Sequence, residues 1–369
     1  MFTIAIQEDL RRLAGVFAQA GTPLYIVGGA VRDTFLNVPV SDIDICAPVL
    51  PETAAQYARQ CGFAVNEESA RLGTLSLTKT HRYEYTAFRQ DSYARAHRPE
   101  EVAFTTDITM DALRRDFTVN AMYYNIASNT LVDPLGGQGD LQQRILRQCK
   151  IGVTMAQDGL RILRLFRFAV QLGFTMEAGT LSSAEENKKL LAFIAPERIR
   201  EELLKLLLYK NVQPLIDEMA QTGILAHVLF CEGACAYTLR TKEPTTRLAE
   251  LMLANGVDRC AQLRLSRAET THIRAIIAAV QNVPTTKEPL AWAIAQLGKK
   301  TAGDVVAILH NNAYTSVYCR LLACNAPFSL QQAQLFATEV MYRYGLQPGK
   351  AVGEKLRCLW KQAVMQHFL

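Results

Sequence analysis

Two aspartates separated by one residue, Asp42 and Asp44, have the spacing that points most directly to chemistry in this sequence. They lie in the run Ser-Asp-Ile-Asp-Ile, which predicts a strand with both carboxylates on one face, because residues i and i+2 of a strand point the same way. Two carboxylates so close repel each other unless a cation lies between them. Mg²⁺ is the natural cation, since it binds one or two carboxylates together with substrate phosphates. Taken alone, however, such a pair is more typical of a solvated strand end.

Two glycines upstream of the aspartates supply a second part of a phosphate site. Gly28 and Gly29 follow a short apolar run and open a predicted helix. Glycine lets the backbone approach a phosphate closely, and the N-terminus of a helix favours an anion. Arg32 adds a guanidinium group for the same phosphates. A Gly-Gly turn by itself is usually only a tight turn, but together with the aspartate pair it favours a metal–nucleotide site.

Glu84 is a candidate for a third catalytic acid. It alternates with apolar and aromatic residues in a predicted strand that could lie beside the aspartates. A glutamate on the surface of an edge strand is nearly as common, so both interpretations stay open.

The elements that would position these residues form a small α/β region before about residue 145. Amphipathic spacing predicts helices over residues 6–20 and 51–61. Short runs rich in β-branched and aromatic residues predict strands over residues 24–27, 43–46, 74–78, 83–88 and 122–126.

A turn-rich segment at residues 133–137 ends this region, and almost everything beyond residue 154 has helical spacing. Helices are predicted over residues 160–172, 195–209, 212–223, 246–253, 267–280, 290–297, 302–309 and 332–343. The predicted fold class is therefore α+β, a small mixed β-sheet head followed by an all-helical remainder.

Composition narrows the class of protein. The chain has 369 residues, of which 49% are apolar, and a net charge of +5 that suits a polyanionic partner without identifying one. No apolar stretch reaches the length of a membrane span, and residues 1–10 do not resemble a signal peptide, so a cytoplasmic protein without membrane contact is expected. The nine cysteines form no C-x-x-C pair, which predicts free thiols and no zinc site.

Three blocks of sequence occur in a characteristic order. The first joins Gly-Gly-Ala-Val-Arg-Asp at 28–33 to Asp-Ile-Asp at 42–44, and the second is Arg-Arg-Asp-Phe-Thr-Val-Asn-Ala at 114–121. The third is Asp-Gly-Leu-Arg-Ile-Leu-Arg at 158–164 with Arg-Phe-Ala at 167–169. Together they resemble the family of class II tRNA nucleotidyltransferases and bacterial poly(A) polymerases, within the DNA polymerase β-like nucleotidyltransferase superfamily.

The resemblance covers nearly the whole chain and implies its organisation. Weaker similarities at residues 133–141, 197–205 and 348–356 extend it toward the C-terminus. The implied parts are a catalytic nucleotidyltransferase head at 1–145, a helical neck that reads the nucleotide base at 146–210, a helical body at 211–280 and a tRNA-binding helical tail at 281–369.

The chemistry implied by the resemblance is addition of CCA to the 3′ end of tRNA. The tRNA 3′-hydroxyl would attack the α-phosphate of CTP or ATP and expel pyrophosphate, with two Mg²⁺ ions assisting. Asp42 and Asp44 match the metal-binding pair, and Gly28, Gly29 and Arg32 match the triphosphate loop.

Arg115, Asp116 and Asn120 match the family motif that senses the ribose. A carboxylate and an amide can each hydrogen-bond a 2′-hydroxyl, which separates ribonucleotides from deoxyribonucleotides. Read without the resemblance, the Arg-Arg-Asp run is an ion-pairing cluster at a helix start.

Asp158 and Arg161 match the pair that serves as a protein template for the incoming base. The carboxylate can accept from the exocyclic amine of cytosine or adenine, while the guanidinium donates to a ring nitrogen; uracil and guanine would leave the carboxylate unpaired. At i and i+3 the two residues are expected on one helix face, where a simple salt bridge is the alternative. Arg164 and Arg167 continue the spacing and would line a nucleotide-facing groove or a solvated helix face.

The sequence departs from the family pattern in three places near the base-reading motif and in the flexible loop, and also at Asn37, where the family often has Gly. Gln157 stands where the family usually has Glu, and Gly159 where it has Pro. In the loop that helps the family switch from CTP to ATP, Ala-Arg-Ala at 94–96 lacks the usual acidic residue. Because the base-reading pair is present, activity is still expected.

The expected function is therefore an active CCA-adding enzyme whose partners are tRNA, CTP and ATP, with no protein partner implied. The nearest alternatives are an enzyme that adds only CC or only A, and a poly(A) polymerase. A catalytically inactive RNA-binding protein is disfavoured by the intact Asp42, Asp44 and Arg161. A nucleotidyltransferase acting on a small molecule is disfavoured by the long helical remainder.

Overall fold

The computed structural model describes residues 4, 6–40, 42–92, 101–235 and 237–368, and for residues 91, 92 and 101 the backbone alone. The chain divides into two compact units: Met1–Leu206 with Thr222–Val228, and Leu207–Gln221 with Leu229–Leu369. The predicted α+β class is confirmed. The finer division into head, neck, body and tail stays a prediction.

The first unit is built on a mixed sheet of seven strands. The strands of this unit are β1 (Tyr25–Val27), β2 (Asp44–Ala47), β3 (Ala64–Asn66), β4 (Thr74–Thr78), β5 (Arg82–Ala87), β6 (Arg89–Ser92), β7 (Glu101–Phe104), β8 (Tyr123–Asn125), β9 (Thr130–Val132), β10 (Ile145–Leu146) and β11 (Thr175–Met176). The main sheet has the order β3-β4-β5-β2-β1-β8-β9. Its neighbours are antiparallel except β2 and β5, which run parallel and therefore begin at the same edge.

Helices flank this sheet and continue the first unit. They are α1 (Glu8–Gln19), α2 (Gly29–Phe35), α3 (Pro51–Gln60), α4 (Ile108–Leu113), α5 (Gly137–Gln143), α6 (Thr154–Gln157), α7 (Leu160–Leu172), α8 (Ala178–Glu186) and α9 (Pro196–Leu207), the last of which ends in the second unit. Short 3₁₀ helices occupy residues 70–72, 118–120 and 188–193.

Alternation along β5 separates a packed face of the sheet from a polar one. Tyr83 and Tyr85 are buried, whereas Arg82 and Glu84 are exposed. Phe17 of α1 lies 6.2 Å from the ring centroid of Tyr85, so α1 covers the packed face. Glu84 lies on the polar face of β5 and is therefore accessible to solvent.

Among the described residues of the second unit, the regular elements are helices. They are α10 (Gln213–Gln221), α12 (Pro244–Ala254), α13 (Arg267–Gln281), α14 (Lys287–Gln296), α15 (Lys299–Leu309), α16 (Asn312–Ala323), α17 (Ala337–Tyr344) and α18 (Lys350–Phe368), while α11 (Ile224–Val228) belongs to the first unit. Helix α14 packs against α16 and α18, and α13 packs against α12 and α15. Over the described ranges, no helix combines the length and the apolar character that crossing a membrane requires.

Candidate active site

Asp42 and Asp44 lie at the edge of the sheet where β2 begins. Asp44 is the first residue of β2 and Asp42 precedes the strand, so the strand starts one residue later than predicted. The register partners of Asp44 are Val27 on β1 and Glu84 on β5. Asp42, Asp44 and Glu84 are all exposed to solvent. The parallel pairing thus places Glu84 directly beside Asp44.

The pKa of Asp44 reflects this crowding of carboxylates. Partial desolvation by the surrounding protein raises the pKa above 3.8, Glu84 and Asp42 raise it further, and Arg115 opposes them. A bound cation would favour the charged form. Among the described side chains, no group of three or more His, Cys, Asp and Glu residues could hold a metal ion. A carboxylate pair completed by substrate oxygens is the manner in which Mg²⁺ is usually bound, so the donor set fits this ion.

The glycine loop lies against the aspartates. Gly28 has φ +74° and ψ −136°, a conformation that residues with a Cβ rarely adopt, and it directly precedes the predicted helix α2. A Cβ placed on Gly28 would lie 3.8 Å from Oδ2 of Asp44. The backbone of Gly28 is therefore next to the carboxylate of Asp44, which would hold the metal.

Arg32 is fixed in place beneath this loop. Its side chain is buried, Nη1 donates to Oδ1 of Asn120 at 2.6 Å, and Nε donates to Oδ1 of Asp33 at 2.8 Å. The guanidinium carbon lies 5.2 Å from the ring centroid of Phe168. These contacts hold the cation in one orientation, as a preorganised phosphate ligand requires.

Asp116 and Asn120 connect Arg32 to helix α7. Nδ2 of Asn120 donates to Oδ1 of Asp116 at 3.0 Å, and Arg164 donates to Oδ2 of Asp116 through Nε at 2.8 Å and Nη2 at 2.6 Å. Burial alone would raise the pKa of Asp116, but Arg164 and Asn120 outweigh it and hold the pKa well below 3.8. Asp116 and Asn120, two of the three residues predicted to sense the ribose, are thus joined by hydrogen bonds to Arg32 and Arg164.

Arg115 is held by a buried carboxylate that the sequence analysis missed. Asp111 is fully buried, and its carboxylate accepts from Nη2 of Arg114 at 2.7 Å, from Nη2 of Arg115 at 3.0 Å and from the Tyr123 hydroxyl at 2.7 Å. Helix α4 ends at Leu113, so the arginine pair follows a helix end and does not open a helix as the alternative interpretation had it. The i,i+3 and i,i+4 spacing from Asp111 was the available signal.

Asp158 lies between two helices rather than on one. It follows α6, and its Oδ1 accepts from the backbone N–H of Leu160 at 3.0 Å, at the start of α7. Its Oδ2 accepts from Nη2 of Arg198 at 3.4 Å. The prediction that Asp158 and Arg161 share one helix face is therefore wrong, because only Arg161 is in α7. Arg198 on α9 is a further site residue that local spacing did not reveal.

Arg161 is buried at the start of α7. Its Nη1 donates to the carbonyl of Thr154 at 2.9 Å and to Oε1 of Gln157 at 3.3 Å, and its Nη2 donates to the carbonyl of Arg114. The residue that departs from the family pattern, Gln157, thus contacts the predicted base-reading arginine through a neutral amide. Where a glutamate stands at this position, the corresponding hydrogen bond would be charge-assisted and stronger.

Gly159, the second departure, is tightly packed. A Cβ on Gly159 would lie 3.0 Å from Cβ of Leu190 and 3.1 Å from its backbone carbon. We expect Gly159→Ala to lower the free energy of unfolding by about 1–3 kcal/mol, because Leu190 would have to move. Thermal or urea unfolding followed by circular dichroism measures this change.

Gly139→Ala is the matched control for this substitution. Gly139 lies inside α5 with open space around the position of its Cβ, so alanine should leave stability unchanged or raise it by about 0.5 kcal/mol. Equal stabilities of Gly159→Ala and Gly139→Ala would contradict the packing argument.

Arg164 and Arg167 surround a buried aromatic ring. Their guanidinium carbons lie 5.3 Å and 3.9 Å from the ring centroid of Phe168. Nε of Arg167 donates to Oε2 of Glu202 at 2.5 Å. These arginines are therefore partly buried and ion-paired, which favours the predicted groove over a solvated helix face.

The predicted residues meet in one open cavity of about 480 Å³. Twelve of the thirteen predicted site residues line it: Gly28, Gly29, Arg32, Asp42, Asp44, Arg115, Asp116, Asn120, Asp158, Arg161, Arg164 and Arg167. Glu84 is outside its lining, whereas Asp33, Arg114 and Arg198 were not predicted and are part of it. We call this space the arginine cavity.

The arginine cavity combines two acids at a glycine turn with a wall of guanidinium groups, an arrangement suited to a metal-bound polyphosphate. This site, on a small mixed sheet followed by helices, defines a nucleotidyltransferase. Two protein-family models match parts of this sequence. The Poly A polymerase head domain matches residues 24–147, and the probable RNA and SrmB-binding site of polymerase A matches residues 173–232.

The CCA-adding enzyme of Limosilactobacillus fermentum is 31% identical to this chain, over 97% of the chain and 92% of that enzyme. The structure of the Bacillus stearothermophilus CCA-adding enzyme in complex with CTP is 26% identical, with a TM-score of 0.76 over 98% of this chain and 94% of that one. The Thermotoga maritima CCA-adding enzyme in complex with tRNA shares the fold at 21% identity, with a TM-score of 0.71 over 98% and 92%. The chain therefore belongs to the family of class II CCA-adding enzymes and poly(A) polymerases.

Proposed function

We propose that this chain is a cytoplasmic enzyme that adds CCA to the 3′ end of tRNA, taking nucleotides from CTP and ATP and releasing pyrophosphate. The observation that carries the proposal is the meeting of Asp44, Gly28 and Asp158 with a row of arginines in one cavity. The named activity of the Limosilactobacillus fermentum relative, aligned over nearly the full chain, supports the same function. The ligands of the two similar structures, CTP and tRNA, suit it as well.

Asp42 and Asp44 would hold Mg²⁺, which when bound lowers the pKa of the attacking 3′-hydroxyl and neutralises charge on the phosphate oxygens. The protein's own residues bind and orient the nucleotide. Arg32 is fixed by Asn120 and Asp33 so that a triphosphate meets a rigid cation. Because little covalent chemistry falls to the protein in phosphoryl transfer, such positioning is its main contribution.

Asp158 and Arg161 would read the base at the other end of the nucleotide. The contact of Asp158 with Arg198 is long, at 3.4 Å, so an exocyclic amine can compete for the carboxylate. Arg161 is anchored by backbone carbonyls, which fixes the position of the guanidinium without using a base as a partner. Selection of CTP and ATP over UTP and GTP follows from the carboxylate that a wrong base would leave unpaired.

Arg161→Ala should reduce the selectivity of the enzyme among the four bases more than it reduces binding of the triphosphate. We expect the ratio of kcat/KM for CTP to that for UTP to fall by at least about tenfold, because one of the two groups that read the base is lost. Single-nucleotide incorporation into a tRNA that lacks CCA measures both values. Unchanged selectivity would exclude Arg161 from base reading.

The function itself is tested with three tRNA substrates, ending before CCA, after the first C, and after CC. Each is incubated with labelled CTP, labelled ATP or both. Completion of CCA on the first substrate supports the proposal. Addition that stops after CC, or that occurs only on the substrate ending in CC, would identify a specialist, and long runs of A would identify a poly(A) polymerase. No incorporation on any substrate would favour an RNA-binding protein without catalysis.

The third departure, at residues 94–96, lies outside the described part of the chain, so this experiment alone addresses the switch between CTP and ATP.

A further inference from the structure

One aromatic ring in the wall of the arginine cavity has three guanidinium groups around it. The ring is that of Phe168, which is 6% exposed and lines the cavity. The guanidinium carbons of Arg32, Arg164 and Arg167 lie 5.2, 5.3 and 3.9 Å from the ring centroid. All three distances are within the range in which the face of an aromatic ring attracts a cation. The arginines come from two helices, α2 and α7, and Phe168 is a neighbour that all three share.

Each of these arginines is also anchored by a carboxylate. In every case Nε of the arginine donates to the acid, at 2.5–2.8 Å; the pairs are Arg32 with Asp33, Arg164 with Asp116, and Arg167 with Glu202. The carboxylates fix one edge of each guanidinium group and offset its charge. They do not by themselves bring the three groups together, because like charges repel at short distance. An aromatic ring lowers that repulsive cost, since its faces carry partial negative charge.

The ring of Phe168 is itself held in place. The ring of Phe117 meets it edge-on, with the centroids 5.9 Å apart and the planes at 82°. Phe117 is fully buried, and its backbone N–H donates to Oδ1 of Asp116 at 2.8 Å. Phe168 follows Arg164 by about one turn of α7, a spacing at which side chains of a helix are neighbours. The ring is therefore a fixed surface that the guanidinium groups contact.

We infer that Phe168 is a positioning residue for the triphosphate: its ring orders the three guanidinium groups that would bind the phosphates. This inference rests on the function proposed above. Arginine has many rotamers, and a ligand that binds disordered arginines must immobilise each of them. Arginines that are already ordered lower this entropy cost and so favour binding. Because CTP and UTP carry the same phosphates, Phe168 should affect the affinity for both nucleotides equally.

Fluorinated phenylalanines at position 168 test the inference, because fluorine withdraws electron density from the faces of the ring and changes its size little. Rings with one, two and three fluorine atoms should raise KM for CTP in that order, by roughly five- to tenfold for three. The kcat at saturating CTP should change less than KM, and the ratio of kcat/KM for CTP to that for UTP should stay constant. A ring that only packs in the core would give a KM independent of the number of fluorine atoms, and this result would overturn the inference.

The matched control is the same fluorinated series at position 166. Phe166 lies in α7, is fully buried and is outside the lining of the arginine cavity. Its fluorinated forms should leave KM for CTP unchanged. An equal dependence on fluorine at both positions would also overturn the inference, because it would show a general effect on the helix.

A binding measurement separates this inference from the proposed function. The full chain is titrated calorimetrically with CTP and with inorganic tripolyphosphate, in the presence of Mg²⁺ and without tRNA. Both ligands should lose affinity in the order of fluorine number at position 168, since both carry the phosphates. Equal affinities across the series overturn the inference even if the chain adds CCA to tRNA. An ordered loss of affinity in a chain that incorporates no nucleotide contradicts the proposed function and leaves the role of Phe168 standing.

Discussion

Replacing Asp44 with Asn is expected to lower kcat for CMP incorporation by about a thousandfold or more, because the variant loses a charged ligand of the metal that assists the reaction. Asp44 lies beside Glu84, is crowded by Asp42, and is next to the backbone of Gly28. Asparagine keeps the size of the side chain but removes its charge. Single-turnover incorporation of labelled CTP into a tRNA ending before CCA measures the effect.

Stability and tRNA binding should be almost unchanged in the Asp44→Asn variant. The side chain is exposed at the start of β2, so its removal leaves no cavity in the core. Glu52→Gln is the control, an exposed carboxylate in the first turn of α3 and outside the arginine cavity. Incorporation at the wild-type rate by Asp44→Asn would refute the assignment of Asp44 as a metal ligand. Unfolding of the variant would instead show that Asp44 is needed for stability.

The same assay decides the two interpretations of Glu84. A catalytic acid at the reacting atoms would lose activity on change to Gln, whereas a surface residue would behave like Glu52. Glu84 pairs in register with Asp44 but does not line the arginine cavity.

Much of the site could be predicted from sequence because its parts are local. The strand at Thr74–Thr78 and the helix at Leu160–Leu172 have the predicted bounds. Both follow from the order of apolar and polar side chains within one short segment of sequence. The aspartate pair and the glycine turn are also short-range features. That the aspartates and the glycine turn line one cavity could be predicted only from the resemblance to a family, because no local sequence pattern specifies which strands pair in the sheet.

Local patterns also misplaced some elements. The helix predicted over 332–343 begins at Ala337, and the left-handed backbone at Gln334, with φ +53°, is incompatible with an earlier start. Helix α18 was not predicted at all, although it is 19 residues long, because its Gly353 reads as a helix breaker and its apolar face becomes evident only against α14 and α17. Packing overrode the local preference.

The residues that hold the site together were the hardest to find. Asp111 lies outside the three sequence blocks, and its spacing to Arg114 and Arg115 does not show that these ion pairs are buried. Arg198 reaches Asp158 across 40 positions of the chain. Such supporting contacts depend on tertiary structure, whereas the groups that would touch the substrate belong to short motifs.

Asp111→Asn is expected to destabilise the first unit by about 3–5 kcal/mol, because removing one member of a buried ion pair leaves the partners as uncompensated charges. Asp111 is fully buried and contacts Arg114, Arg115 and the hydroxyl of Tyr123. Since Arg115 lies in the wall of the arginine cavity, activity should fall as well. Urea unfolding at neutral pH measures the stability.

The control for this change is an exposed ion pair of the same unit. Glu67 accepts from Arg59, and the two side chains are 40% and 52% exposed. Glu67→Gln should cost at most about 1 kcal/mol, as surface ion pairs usually do. Similar losses in the two variants would show that burial of Asp111 does not matter.

Acid provides a second and independent test of Asp111. Burial raises its pKa, but Arg115, Arg114 and Tyr123 outweigh burial and leave the pKa at about 2, below the ordinary value of 3.8. A depressed pKa contributes stability that is fully present above the ordinary value and lost as the pH falls through the folded value, here about 2 kcal/mol between about pH 4 and pH 2. Asp111→Asn has no such proton to bind, so the difference in stability between wild type and variant should shrink over this range. A difference that stays constant from pH 5 to about pH 2 would mean that Asp111 is not the ionised anchor of the two arginines.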